Sequence, residues 1–277
     1  MFSIGLELGR PSAQKRERDW RLMLRGLLLH LVLIPLLAVI ASRLLRTSGD
    51  VTVAFLLLVA APGAPFLPHL VRISGGELAF GVELTLLLAK ITCFSAPPTV
   101  RLMLSAHHFD FADLPFLLRL LLLQMLPFIV AKTLRKRTAW VEHLYLPCVA
   151  IGRYAAMALV LFVALAGGAK VLTTFDRGWL AVLAVGILST GLAWLMGGRS
   201  ERARTAMAVS ANAKNLPLAL VIGVHAFPVP GLQAAMFGVW LILFAIAFAV
   251  AGVGHRLHRN ADAGQPTRWF LHRKRSY

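Results

Sequence analysis

The stretch Ala61-Pro62-Gly63-Ala64-Pro65-Phe66-Leu67-Pro68 interrupts an apolar segment that is long enough to cross a membrane. Its three prolines and one glycine fall within seven residues. They remove backbone hydrogen-bond donors and predict a break in the helix midway through the span. Irregular backbone at that depth is stable only when it is buried in protein or lines a watery cavity. We therefore expect an unwound segment here.

A second interruption occurs near the other end of the chain, at Ser210-Ala211-Asn212-Ala213-Lys214-Asn215-Leu216-Pro217, where polar residues and a proline enter an apolar span. Each interrupted span is the middle one of three consecutive apolar spans, one set near each end of the chain. Interrupted helices at matching positions in two halves are typical of secondary transporters built from inverted repeats. The alternative is that these prolines merely kink two membrane helices.

The composition of the chain is that of a membrane protein. Of its 277 residues, 58% are hydrophobic and 15% are charged, and the mean hydropathy is +0.73. Soluble domains are about half apolar and a quarter charged, so a disordered chain is excluded and a soluble domain is disfavoured. The net charge of +17 fits basic cytoplasmic loops better than a nucleic-acid partner. Neither a disulfide nor a metal site is predicted from Cys93 and Cys148.

Apolar segments of about 20 residues predict membrane helices. Eight segments qualify, and the loops between them are short: 26–45, 51–70, 78–98, 113–131, 143–168, 178–197, 205–225 and 231–254. The fold class expected from them is an all-α polytopic membrane protein in contact with the lipid bilayer.

The distribution of basic residues predicts the orientation of these helices. With a cytoplasmic N-terminus, 20 of the 29 Lys and Arg residues lie in inside segments, 6 lie in outside segments or at adjoining span ends, and the remaining three lie within spans. Basic residues accumulate on the cytoplasmic side of membrane proteins. We therefore expect a multi-pass protein of the cell (inner) membrane with both termini in the cytoplasm.

Several short motifs resemble those of the bile acid:sodium symporter family. Residues 1–8 resemble "MFxMGLxL" at the end of its second helix, and residues 27–45 resemble its third helix. Ala61-Pro62-Gly63 with Gly76-Glu77 resembles "PGG…GD", and Arg204-Thr205 with Lys214-Asn215 resembles "RT…QN". Their order and spacing make the similarity specific over nearly the whole chain.

This resemblance implies ten helices in two inverted five-helix repeats, whose fourth and ninth helices unwind and cross. Eight of the ten are visible here, because residue 1 corresponds to the end of the second helix. We expect either a start further upstream or a shortened variant. The implied segments are 1–25 (the end of a truncated helix and a basic stretch), 26–98 (the rest of the first repeat), 99–254 (the second repeat) and 255–277 (a basic tail).

The resemblance also implies which positions would bind sodium ions. The family's Ser-Asn pair after "PGG" corresponds to Leu67 and Pro68, and its fifth-helix Ser and Thr correspond to Gly81 and Thr85. The Glu and Gln of "ExxxQN" correspond to Ser210 and Lys214, and the Asn of the motif is retained as Asn215. A hard cation requires several oxygen ligands, and an ammonium group repels it. Transport is therefore expected without preserved Na⁺ sites, and the coupling ion is left open between Na⁺ and H⁺.

Three ionisable residues within the spans are candidates for function. Lys214 is too deep to reach the surface. Its side chain is expected to replace the sodium ions as a built-in cation or to bind and release a proton. The alternatives are a structural ion pair, an amine held neutral by burial, or a cation that attracts anions in a hydrated vestibule. Glu83 is expected to face a partner on another span, with Lys214 or Arg153 as candidates, and to serve either in proton coupling or in a structural pair. Arg153 either binds an organic anion or forms an interhelical salt bridge. His30 and His69 are expected to be packing residues rather than proton relays.

The sequence contains no enzyme motif, and we predict a secondary transporter for a small organic anion, with no cofactor and no nucleic-acid partner. The alternative is a non-transporting membrane sensor, or an inactive remnant of the same family. The oligomeric state is not predicted. The candidate substrate and ion-site residues are Pro62, Gly63, Ala64, Pro65, Glu83, Thr85, Arg153, Ser210, Asn212, Lys214 and Asn215.

Overall fold

The computed structural model describes residues 19–104, 177–227 and 231–263, together with a few isolated positions between 122 and 151. The described parts are helices and the short turns between them. A π-helical turn at Leu29–Leu33 joins the first two helices. The helices are α1 (Trp20–Leu28), α2 (Ile34–Leu44), α3 (Asp50–Ala60), α4 (Leu67–Ile73), α5 (Leu78–Leu104), α6 (Arg177–Met196), α7 (Glu201–Asn212), α8 (Leu216–Ala226) and α9 (Leu232–Ala263).

Four of the described helices are long and apolar enough to cross a membrane: Trp20–Leu44, Leu78–Leu104, Arg177–Met196 and Leu232–Asn260. They correspond to the predicted spans 1, 3, 6 and 8. Spans 2 and 7 are each divided into two shorter helices. Spans 4 and 5 lie outside the described residues. The prediction of an all-α polytopic membrane protein is confirmed.

The long helices extend beyond the predicted spans at several ends. The first begins at Trp20 because the Asp19 carboxylate caps it, accepting hydrogen bonds of 3.1 Å from the backbone amides of Arg21 and Leu22. Helix α5 continues through Pro97 and Pro98 to Leu104. Hydropathy identifies the part of a helix that is apolar, whereas caps and tertiary contacts decide where the helix ends.

The two divided spans pack against each other in a cross. The first half of span 2, α3, contacts α8, and its second half, α4, contacts α7. Helix α9 packs along α3, α4 and α7, and α5 supports α3 and α4. Along α1 and α2 every fourth residue is a large exposed hydrophobic side chain: Trp20, Leu24, Leu28, Val32, Leu36, Ile40 and Leu44. Such a continuous apolar stripe suits a surface facing lipid or another apolar segment.

At one end of the cross, the turn between α4 and α5 packs against α7 and α9. The backbone amide of Glu77 donates to the carbonyl oxygen of Arg202 at 3.0 Å. The Thr205 hydroxyl lies 3.1 Å from Nε2 of His258, on α9. The structure therefore brings together the motifs Gly76-Glu77 and Arg204-Thr205, which lie far apart in the sequence.

Candidate functional site

The two interruptions touch each other through their backbones. Pro62 and Lys214 form an isolated antiparallel bridge, and the amide nitrogen of Asn215 donates to the carbonyl oxygen of Ala61 at 2.8 Å. The Asn215 side-chain amide lies 3.5 Å from the carbonyl oxygen of Gly63. The predicted breaks, and the predicted contact between them, are confirmed. We call residues 61–66 and 213–215 the crossover.

Two features require a glycine at position 63: the conformation of its backbone and the closeness of α5. Its φ of +89° lies in the left-handed region that side chains rarely adopt. A Cβ added there would lie 2.9 Å from Cβ of Leu88 and 3.1 Å from the backbone nitrogen of Ala89. The neighbouring Pro62 and Ala64 are buried, whereas Pro65 is partly exposed. The crossover thus packs directly against α5.

Asn212 and Asn215 hold the ends of the two half-helices of span 7. The Asn212 amide donates to the carbonyl oxygen of Gly186 at 3.0 Å and to the hydroxyl of Thr190 at 2.8 Å, which ties α7 to α6. The Asn215 side-chain oxygen accepts from the amide of Leu218 at 3.2 Å and caps α8. Both candidate residues therefore have structural contacts in this conformation.

Lys214 lies at the centre of the crossover and is 1% exposed. Among the described residues, its Nζ atom has no hydrogen-bond partner. Its backbone carbonyl accepts from Nε1 of Trp240 at 3.2 Å. An ammonium group has three donors and no acceptor, and leaving it unpaired in a buried site is costly. The site therefore favours either a neutral amine on Lys214 itself or an anion or water molecule bound beside Nζ.

The positions that correspond to the family's sodium ligands are short of oxygen. Leu67 and Pro68 are buried and apolar. Thr85 and Ser210 keep hydroxyl groups, and each donates to a carbonyl of its own helix, that of Gly81 at 2.7 Å and that of Met207 at 2.6 Å respectively. The Asn215 side-chain oxygen is retained and caps α8. With Leu67, Pro68 and Lys214 supplying no side-chain oxygen, these positions make a poor site for a hard cation.

Glu83 faces other elements of the fold but not Lys214, one of the two partners expected for it. It lines a cleft of about 480 Å³ beside Arg21, Arg25 and Arg199. The candidate ion pair with Lys214 is not formed: Nζ of Lys214 has no hydrogen-bond partner among the described residues. Helix α5 turns this carboxylate towards the start of α1 and the loop between α6 and α7. Arg153, the other expected partner, lies outside the described residues.

Two residues of the site were not identified from the sequence. Trp240 stacks on Phe244 at 5.1 Å between ring centroids and meets the edge of Phe66, so it covers the crossover from α9. His30 is completely buried, and its Nε2 atom lies 3.0 Å from the carbonyl oxygen of Ser210. An aromatic residue in an apolar span gives no signal of such a role. The polar His30 does stand out in its span, but it was expected to be a packing residue.

Comparison with known sequences supports the resemblance. Residues 1–175 match the profile of the sodium bile acid symporter family, and this match includes α1 to α5 with the first interruption. No characterised protein matches the chain significantly.

Proposed function

Because this chain belongs to the sodium bile acid symporter family, a family of transporters rather than enzymes, we propose that it is a secondary active transporter of a small organic anion. It carries this anion across the cell membrane without a requirement for Na⁺. The observation that carries the proposal is the buried lysine, Lys214, at the point where two interrupted helices cross.

The crossover supports transport because it combines stability with the capacity to rearrange. The contacts between Ala61–Gly63 and Lys214–Asn215 join two half-helix pairs through a few backbone atoms. In transporters, broken helices of this kind bind substrate and coupling ions, and the two repeats move about the bound site. A continuous helix would offer neither free backbone groups nor a pivot.

The absence of Na⁺ coupling follows from charge and ligand number. Lys214 brings a cationic side chain to a position where the family has a sodium ligand, and Leu67 and Pro68 supply no side-chain oxygen. A fixed ammonium group can fill the electrostatic role of a bound cation and does not dissociate. Transport by this chain therefore proceeds equally well in sodium and potassium salts.

The preference for an anion also follows from Lys214. The cleft near α1 contains three guanidinium groups (Arg21, Arg25 and Arg199) and three carboxylates (Asp19, Glu77 and Glu83), so its formal charges balance. A polar cleft of about 480 Å³ suits an aqueous vestibule, and the positive charge of the buried Lys214 selects for an anion. Arg153 is a second candidate for contact with the anion. The vestibule faces the cytoplasm in the orientation that the basic residues predict.

Uptake into proteoliposomes tests this proposal. The full-length protein is reconstituted, and uptake of labelled taurocholate and of a panel of small mono- and dicarboxylates is measured in NaCl and in KCl. We expect uptake of at least one anion above that of empty liposomes, with equal rates in the two salts. Lys214→Ala abolishes uptake, whereas Lys90→Ala, which changes an exposed lysine of α5, retains it.

Two results would count against the proposal. Strict dependence on Na⁺ in the unmodified protein would overturn the sodium-independent mechanism and leave the transport class intact. Failure to take up every anion tested, by protein that is folded and correctly inserted, would favour a membrane sensor or an inactive remnant.

A further inference from the structure

The exposed apolar stripe of α1 and α2 begins at the same end of the first long helix as the polar cleft. Trp20, Leu24 and Leu28 lie four residues apart and are all exposed, and the stripe continues along α2 to Leu44. Tryptophan is enriched at the boundary between the hydrocarbon layer and the lipid headgroups. The start of α1 therefore lies at the level of the headgroups.

The cleft lies at the same level, because three candidate membrane spans start or end beside it. Helix α1 begins at Trp20, α5 begins at Leu78 and α6 ends at Met196. Residues at or next to each of these three ends line the cleft. The headgroup layers lie at the two ends of membrane spans, so a cleft in this place is within reach of a lipid headgroup.

Two arginines on α1 connect the cleft with the apolar stripe. Arg21 and Arg25 both line the cleft. Residues three and four apart are neighbours on the surface of a helix, so Leu24 adjoins Arg21, and Leu28 adjoins both Leu24 and Arg25. A molecule whose charged end lies in the cleft can therefore extend an apolar tail along the stripe.

The lining of the cleft carries both signs of charge in equal number. Its guanidinium groups belong to Arg21, Arg25 and Arg199, and its carboxylates belong to Asp19, Glu77 and Glu83. Guanidinium groups bind phosphate oxygens through paired, charge-assisted hydrogen bonds, whereas carboxylates accept hydrogen bonds from an ammonium group. A purely anionic headgroup would be attracted by the arginines and repelled by the carboxylates. The charge balance therefore favours a headgroup that contains both a phosphate and an ammonium group.

We propose that the cleft and the adjoining stripe bind one phospholipid of the phosphatidylethanolamine class. The phosphate lies against Arg21 and Arg25, and the acyl chains follow the stripe. The ammonium group reaches the carboxylate of Glu83, because the Asp19 carboxylate already caps α1. Pockets of a few hundred cubic ångströms hold whole drug-sized ligands. A headgroup therefore fills only part of the cleft of about 480 Å³ and leaves room for the vestibule of the proposed function, on which this lipid site does not rest.

Native mass spectrometry of the full-length protein in detergent tests the site directly. Phosphatidylethanolamine, phosphatidylcholine and phosphatidylglycerol with identical acyl chains are added in turn, and the retained lipid is counted. We expect one phosphatidylethanolamine per chain, bound about fivefold more tightly than phosphatidylcholine, because a trimethylated ammonium group cannot donate a hydrogen bond to a carboxylate. Phosphatidylglycerol, which has no ammonium group, also binds more weakly. Equal or tighter binding of either of these two lipids would overturn the proposal, and so would retention of no lipid.

Matched variants test the two contacts of the headgroup separately. Glu83→Gln removes the negative charge that receives the ammonium group, so the preference for phosphatidylethanolamine over phosphatidylcholine disappears. Arg25→Gln weakens the binding of both lipids, since both contain the phosphate. Arg43→Gln changes an exposed arginine near the other end of the same long helix and alters neither. A preference that survives in folded Glu83→Gln, or is lost in Arg43→Gln, would refute the assigned contacts. If a variant does not fold, the order of the three lipids on the unmodified protein still decides.

Glycerophosphoethanolamine, which has the same headgroup and no acyl chains, separates a lipid site from a site for a soluble zwitterion. We expect it not to displace bound phosphatidylethanolamine at equal concentration, because the apolar contacts of the acyl chains with the stripe are missing. Displacement would overturn the placement of the acyl chains. These measurements require no transport, so lipid binding can fail while anion uptake succeeds, and the reverse is also possible.

Discussion

The backbone amide of Asn215 donates a 2.8 Å hydrogen bond to the carbonyl oxygen of Ala61. Ala61 begins the unwound part of span 2, and Asn215 ends that of span 7. Each would leave a polar backbone group unpaired if its span were alone. An unpaired backbone group within a membrane costs several kcal/mol. The crossing of the two helices is therefore the means by which each break becomes tolerable, and the breaks stabilise each other.

A first prediction concerns the packing of Gly63 against α5. Gly63→Ala forces a side chain into the left-handed region and into contact with Leu88. We expect a loss of about 1–3 kcal/mol in the free energy of unfolding, measured as a lower melting temperature of the purified protein in detergent. Gly191→Ala is the matched control, because an added Cβ there meets nothing within 4 Å. Equal melting temperatures for the two variants would show that Gly63 is not constrained.

The interruptions could be predicted because proline and glycine act on the backbone locally, whatever surrounds them. Pro62, Gly63 and Pro217 predict breaks within short windows of sequence, and hydropathy identifies the apolar parts of each span. The contact between the breaks was predicted from the family resemblance, and the structure contains it. The match of residues 1–175 supports the same family.

The partners of single side chains could not be predicted, because they depend on how distant helices rotate against each other. The bond from His30 to Ser210 joins residues 180 positions apart, and no local pattern encodes it. Glu83 was expected to face a partner on another span, with Lys214 or Arg153 as candidates. It lines the cleft with Arg21, Arg25 and Arg199, because the start of α1 and the loop after α6 come together beside it. The span ends were misplaced where a cap such as Asp19 extends the helix.

A second prediction concerns the tie between α6 and α7. The Asn212 amide donates to the Thr190 hydroxyl at 2.8 Å. A double-mutant cycle with Asn212→Leu and Thr190→Val separates this bond from the other contacts of each residue. We expect a coupling energy of about 0.6 kcal/mol, the average for buried polar contacts in membrane proteins. The cycle is measured by chemical unfolding in mixed micelles, and additive effects would show that the bond contributes nothing.

A third prediction concerns the orientation of the chain, which the basic residues imply. In a cysteine-free background, Leu172→Cys is labelled from outside intact cells by a membrane-impermeant maleimide. Lys136→Cys is labelled only after the membrane is permeabilised. The physical reason is the accumulation of 20 of the 29 basic residues in the segments assigned to the cytoplasm. The reverse labelling pattern would invert the orientation and with it the sidedness of the cleft.

The last prediction concerns the loss of sodium binding. Lys214→Gln together with Ser210→Glu removes the buried ammonium group and restores two side chains that the family resemblance implies as sodium ligands. We expect the double variant to gain a melting temperature that rises with NaCl concentration and does not rise with KCl, because an ion that binds the folded state stabilises it by mass action. The unmodified protein and Lys214→Gln alone are the controls, and neither responds to sodium.

The size of this gain is limited by the positions that remain apolar. Leu67 and Pro68 still withhold two ligand groups, so the restored site is weaker than a complete one. Binding in the millimolar range changes the free energy of unfolding by about 1–3 kcal/mol at 0.1 M salt. A folded double variant that melts at the same temperature in both salts would show that the ammonium group is not what excludes sodium. The missing oxygens at Leu67 and Pro68 would then be the decisive difference.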